Sequence, residues 1–289
     1  MSVFVLKLIA VVSMFIDHLT YTSALAGFLP YHSALYRLGR TVGRAAFLLY
    51  AFLLVNGFEK TRDRKKYLSR LVLFAALSQI PFTLAFTAAN YRGGPLVPFS
   101  FDAAHTLPLL LPLGVWFWYV CRRRFDASLL VLAAAFALGG IRFAPGGVCL
   151  LGEHLNVFYT LAVSMALMMT VREALSPDRS WSKLFFLAAA LAVEIWFVQR
   201  RADYGLMGVG LILGQYFLRE NKALQLTFVG VWSVIFYYGS SYYIIGALLA
   251  LIPLILYNGR LGAKIRGAFY LFYPVHLALL GICFRLLTR

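Results

Sequence analysis

The sequence predicts an all-α fold, a polytopic transmembrane helix bundle of about 10–11 spans. Three observations predict it. Of 289 residues, 62% are hydrophobic and only 13% are charged, with a mean hydropathy of +0.79, a balance foreign to a soluble domain of this length. Apolar runs of near-membrane length recur from end to end, broken by short polar stretches. The basic residues gather in those breaks. A net charge of +16 would otherwise point to nucleic acid; here membrane orientation accounts for it, so nucleic acid is excluded as a partner. No soluble domain fits between the spans, which leaves a single integral-membrane domain, 1–289.

The spans fall near 3–28, 41–58, 68–87, 106–120, 127–143, 156–171, 184–199, 204–218, 223–239, 242–257 and 268–287. The first is an uncleaved span rather than a signal peptide, because Asp17 and His18 sit inside its apolar run. With Met1 in the cytosol, the inner loops carry seventeen Lys and Arg against nine outside, Lys7 uncounted, which satisfies the positive-inside rule. Cys121, Cys149 and Cys283 are scattered without metal or redox spacing, so no metal is expected.

The first span carries the chemistry. Asp17 and His18 are expensive inside a membrane, and chains rarely keep such a pair unless it is used. At about 100° per residue, Lys7, Met14, His18 and Tyr21 share one helix face. Asp17 lies off that face, so it cannot stack on His18. Lys7 and His18 are roughly 16 Å apart along the axis, a stripe from a cation to an imidazole.

Arg37, Arg40 and Arg44 lie at i, i+3 and i+7 near the start of the second span. Arg37 reads as a solvated loop residue. Arg44 turns into the bundle, to pair with Asp17 or to hold an anion. Between spans three and four, Tyr91 to Leu107 is rich in Pro, Gly and aromatics and reads as a lid-like loop on the membrane face. Its Asp102 and His105 form a second acid-base pair or cap the next helix. Glu153-His154 is similarly two-valued, and Glu194 is another charge inside a span. On the last span, Pro274 frees the Tyr270 carbonyl and kinks the helix, aiming His276 inward. His276 is then either a site residue or a structural partner of Asp203 or Glu194.

Several segments together resemble the TraX family of membrane proteins. They are Leu6-Lys7-Leu8-Ile9-Ala10, Ile16-Asp17-His18, Gly43-Arg44-Ala45-Ala46-Phe47 and Thr61-Arg62 through Lys65-Lys66-Tyr67 to Arg70-Leu71. Further along come Asn156-Val157-Phe158-Tyr159-Thr160-Leu161 and Ala202-Asp203-Tyr204-Gly205-Leu206-Met207-Gly208-Val209. The last are Leu256-Tyr257-Asn258-Gly259-Arg260 and Phe272-Tyr273-Pro274-Val275-His276-Leu277. The resemblance implies a multi-pass acyltransferase of the bacterial cytoplasmic membrane that takes acetyl groups from cytosolic acetyl-CoA as co-substrate. The acceptor it implies is a peptide amine, a glycan or a small molecule, with membrane lipid around the bundle. It also implies a role for the first-span histidine, His18. The chain departs from the family's pattern at Asn56, Gln79 and Thr83, where three acidic positions are neutral, and at Leu48, where a proline is usual.

Acyl transfer needs a base for the acceptor's proton and donors for the developing oxyanion. His18 is the natural base, with Asp17 either orienting it or holding Arg44; direct transfer and a brief acyl-histidine are both open. Asn156, Tyr204, Asn258 and Tyr273 either polarise the thioester carbonyl or only stabilise a broken or kinked span, with Asp203 and His276 lining the site; Asn258 before Gly259 equally suits a helix end. Lys7, Arg40, Arg44 and Arg260 are the candidates for binding the acyl donor, Lys7 and Arg260 forming the cytosolic mouth for a polyanionic nucleotide. A transporter or flippase with an intramembrane polar site is the alternative from another class.

Overall fold

A computed structural model describes residues 1–97, 148–150, 154–175, 202–263 and 267–289. In chain order the described elements are α1 (Val3–Leu25), α2 (Ala34–Gly43), α3 (Ala45–Lys60), α4 (Arg64–Phe86) and a 3-10 turn, Ala88–Arg92. Two-residue strands β1 (Leu96–Val97) and β2 (Val148–Cys149) follow, then α5 (Val157–Ala174), α6 (Gly205–Phe217), α7 (Lys222–Phe236), α8 (Ser241–Leu249), α9 (Leu251–Ile255) and α10 (Ala268–Leu287). The all-α expectation holds. The eight predicted spans that fall on described residues each coincide with one helix or a broken pair. Among the described residues, four stretches are long and apolar enough to cross a membrane: Val3–Leu25, Ala34–Lys60, Arg64–Phe86 and Ala268–Leu287. The spans near 106–120, 127–143 and 184–199, and Asp102, His105, Glu153 and Glu194, lie outside the described residues.

Apolar stripes on the helix exteriors mark the lipid face. On α10, Leu271, Val275, Leu279, Ile282 and Leu286 are about half exposed or more and recur at helical spacing. On α1, Leu8, Val12, Phe15 and Leu19 are likewise exposed at helical spacing. A soluble protein would bury such stripes; hydrocarbon does not penalise them. α3 is apolar all round and is enclosed over Ala45–Val55, with Phe47, Leu48 and Leu49 in its core. Leu48 therefore fills packed space, at 1% exposure.

The described residues form two compact units. The first comprises Met1–Glu59, Leu84–Gly94 and Gly214–Arg289. Its helices approach through glycines. Gly39 and Gly43 stand four apart on α2, and a Cβ at either would strike Thr20 or Asp17 of α1 at 2.1–2.2 Å. A Cβ at Gly246 of α8 would strike the Thr41 carbonyl oxygen at 1.9 Å. Small residues at four-residue spacing let helix backbones touch in a membrane, where dispersion and polar contacts must replace the hydrophobic effect. α2 is thus held between α1 and α8. At the start of α1, the Val3 and Phe4 amides donate to the carbonyls of Arg260 and Leu261 at 2.8 and 3.1 Å, and the Asn258 amide donates to Met1 at 2.9 Å.

The second unit comprises Lys60–Thr83 and Pro95–Leu213. β1 pairs in parallel with β2, so part of the expected lid segment is a ladder edge. In this unit α4 packs on α5 through Phe74 and Phe158, ring centres 5.9 Å apart.

Candidate functional site

The site in the first unit is built on α1. Its buried stripe runs Leu6, Ala10, Ser13, Met14, Asp17, Thr20, Ala24, which puts the Asp17 carboxylate inside. The absence of a side chain at Gly43 lets α2 close on that carboxylate. Arg44, the cap residue of α2, donates from Nη2 to both Asp17 oxygens at 2.7 and 2.6 Å. Arg40, one turn earlier, donates from Nη1 to Oδ2 at 2.9 Å. Arg44 is 7% exposed and Asp17 6%, so this is a buried, charge-assisted cluster of two guanidiniums around one carboxylate. The expectation that Arg44 turns inward to Asp17 is met, and Arg37 is exposed.

Aromatic faces complete the cluster. The Arg40 guanidinium lies 4.8 Å from the Tyr21 ring centre, and that of Arg44 lies 4.9 Å from Tyr243 on α8. Arg40 Nε also reaches the Tyr243 hydroxyl at 3.4 Å, at the long end of a hydrogen bond. Weakly hydrated guanidiniums tolerate such faces far better than an ammonium would. The sequence reading missed Tyr243 and Phe86, and it placed Tyr21 on the His18 face without a role. A Gly-x-x-x-Gly spacing on α2 was the available signal for the close approach.

His18 has a different partner. Its Nδ1 lies 2.7 Å from Nε2 of His276 on α10. His276 Nδ1 in turn lies 2.7 Å from the Phe272 carbonyl oxygen. Phe86 and Tyr273 set their rings steeply against the His18 imidazole, centres 5.0 and 5.9 Å away. Asp17 therefore holds the two arginines, and the contact that orients His18 comes from the far end of the chain. His276 is turned inward as expected, and its described partners are His18 and the Phe272 carbonyl.

The four candidate cations split into two groups. Arg40 and Arg44 sit beside Asp17. Lys7 lies ten residues earlier on α1, roughly 15 Å along the axis, with Nζ 5.4 Å from the Phe269 ring centre. Arg260 joins that same end through the Val3 amide, and Lys222 Nζ caps the Ile255 and Tyr257 carbonyls nearby at 3.0 Å. Asn258 is exposed and accepts from the Arg260 amide at 3.2 Å, ahead of Gly259 at φ +78°. It shapes the turn at the start of α1, about 25 Å of helix from His18.

Asn156, Asp203 and Tyr204 belong to the second unit and gather at the starts of α5 and α6. Asn156 is fully buried. Its side-chain amide donates to the Ala75 carbonyl at 2.7 Å and to Gln79 Oε1 at 3.0 Å. Gln79 donates to the His154 carbonyl at 2.6 Å. The Asp203 amide donates to the Leu155 carbonyl at 2.9 Å, and its own carbonyl accepts from the Thr160 hydroxyl. Tyr204 adopts a left-handed conformation, φ +65°, just before α6. In the described contacts Asn156 ties the middle of α4 to the start of α5, where its Oδ1 accepts from the Phe158 amide at 3.1 Å.

The comparisons with known proteins agree on one family. The family model described as "TraX protein" matches residues 2–93 and 148–284. A protein of Dichelobacter nodosus, "Probable fimbrial assembly protein FimC, serogroup H1", is 30% identical over 286 residues, covering 96% of this chain and 94% of its own. No solved structure matches.

Proposed function

The chain belongs to the TraX family, and from that premise we propose that it is a membrane-embedded acyltransferase. It moves an acetyl group from acetyl-CoA to an amine or hydroxyl acceptor, in the cytoplasmic membrane of a bacterium. What supports the reading is His18: a half-buried imidazole on an apolar span, with one nitrogen engaged by His276 and a cationic end of the same helix about three to four turns away. The relative's name associates it with fimbrial assembly, which favours a surface-filament subunit as the acceptor here.

The residues divide the work. Lys7, Arg260 and Lys222 supply cations at the start of α1, where a polyanionic nucleotide can stay out of hydrocarbon. Acetyl-CoA supplies an activated carbonyl on a thioester. His18 takes the acceptor's proton as its nitrogen or oxygen attacks; the new C–N or C–O bond forms, the C–S bond breaks, and the departing thiolate receives the proton. The Asp17 cluster fixes α2 against α1 at the level of His18.

The experiment is thiol release from acetyl-CoA by purified protein in nanodiscs, with a filament-subunit peptide as acceptor. His18→Ala should lose roughly 10²–10⁴-fold in turnover while still binding acetyl-CoA. A folded His18→Ala protein with unchanged turnover refutes the reading. A wild type that moves a solute across the bilayer and releases no thiol establishes the transporter instead.

A further inference from the structure

We propose that His276 is a positioning residue that fixes His18 as the Nδ1–H tautomer and so makes His18 Nε2 the nitrogen that takes the acceptor's proton. The proposal rests on the acyl-transfer reading for its catalytic half alone.

The proton assignment follows from one acceptor that cannot donate. The Phe272 carbonyl lies 2.7 Å from His276 Nδ1, so that nitrogen carries a proton. In a neutral imidazole the other nitrogen, Nε2, is then a bare acceptor. His18 Nδ1 stands 2.7 Å from it and must donate. His18 is left with its lone pair on Nε2. Turning the His276 ring over would set carbon against both partners and lose both bonds.

Ring geometry supports the same chain. The two imidazole planes differ by only 5° with centres 5.0 Å apart. That separation is what the 2.7 Å nitrogen contact and the two ring radii add up to. The rings therefore meet edge to edge in one plane, as an N–H···N bond requires, and not face to face. Neighbours hold them there. Phe272 lies over the His276 ring at 4.5 Å and 17°, and Phe15 meets it edge-on at 6.2 Å. Phe86 blocks rotation of His18 from a plane tilted by 75°. Residue 272 thus supplies both the carbonyl and the stacked ring, one helical turn before His276 and two residues before Pro274.

The catalytic consequence is specific. When Nε2 takes a proton, Nδ1–H already points at His276 Nε2, so the new charge is shared without any heavy atom moving. An isolated histidine favours the opposite tautomer, in which Nε2 holds a proton and cannot act as base. A base held in the wrong tautomer loses several powers of ten in rate.

The test uses the full chain in nanodiscs with isotope-labelled histidine, and reads the His18 tautomer from ring nitrogen and carbon shifts alongside kcat and KM. Wild type should show His18 as Nδ1–H. His276→Ala should return His18 to Nε2–H and lower kcat about 100-fold or more, with KM for acetyl-CoA within about twofold. His276→Gln, whose carboxamide oxygen reaches the position of Nε2 and accepts the same bond, should keep the tautomer and most of kcat. A wild-type His18 protonated on Nε2 overturns the proposal, as does a folded His276→Ala protein with unaltered kcat. If wild type releases no thiol yet shows Nδ1–H, lost in His276→Ala, the acyl-transfer reading falls while His276 stands as the residue that sets the tautomer.

Discussion

Replacing Gly43 by alanine adds one methyl group where α1 and α2 touch. The new Cβ would lie 2.2 Å from both Cβ and Oδ1 of Asp17 and 2.4 Å from its Cγ. Ordinary contact begins at 3.4 Å, so the two helices must part by about 1.2 Å. The Asp17 bonds to Arg44 and Arg40, now 2.6–2.9 Å, would open to roughly 3.8–4.1 Å, beyond hydrogen-bond reach. Breaking a buried ion pair costs about 3–5 kcal/mol, and alanine returns at most about 1 kcal/mol of helix propensity. The net expectation is about 2–4 kcal/mol of lost stability, with thiol release falling as His18 loses its surroundings. Gly230 on α7 is the control, since a Cβ there meets nothing nearer than 3.5 Å. Gly230→Ala should stabilise by roughly 0.5–1 kcal/mol. Both variants are compared by tryptophan-fluorescence melting of detergent-solubilised protein. A Gly43→Ala protein melting at or above wild type would show that the close approach does not hold the Asp17 cluster together.

Gln79→Glu should destabilise by about 1–3 kcal/mol, because a carboxylate cannot donate to the His154 carbonyl; an unchanged melting temperature would show that the amide is dispensable. Lys7→Ala should raise KM for acetyl-CoA with little change in kcat; unchanged affinity would move the nucleotide away from the start of α1. For orientation, a cysteine at position 64 in a cysteine-free background should resist an impermeant maleimide in intact cells and react once they are permeabilised; rapid labelling from outside reverses the topology.

The eight spans that fall on described residues were legible because each is a local property, an apolar run with charged punctuation. Asp17 as a buried charge and Arg44 as its partner were legible for a similar reason: few cations open an apolar helix. Arg40 was harder, since joining it to the same carboxylate depends on how closely α2 approaches, which Gly39 and Gly43 decide. Asn258 shows the limit of motif reasoning; its place before Gly259 fits a turn, and the turn is where it acts. A structural role for Asn156 was one of two readings open in the sequence, but its partners were not legible, because Ala75 and Gln79 lie on another helix. The pairing of His18 with His276 was beyond local pattern altogether, since nothing about either segment names the other.

That pairing spans 258 residues, joining the first described helix to the last. During synthesis at about 5–20 residues per second, α1 enters the membrane roughly 13–50 s before its partner exists. Through that interval His18 has no oriented proton and the start of α1 has no Arg260 carbonyl to hold it. The nascent protein therefore lacks the paired imidazoles until α10 docks. Ribosomal stalling or premature termination anywhere before α10 yields chains that occupy the membrane without the paired imidazoles.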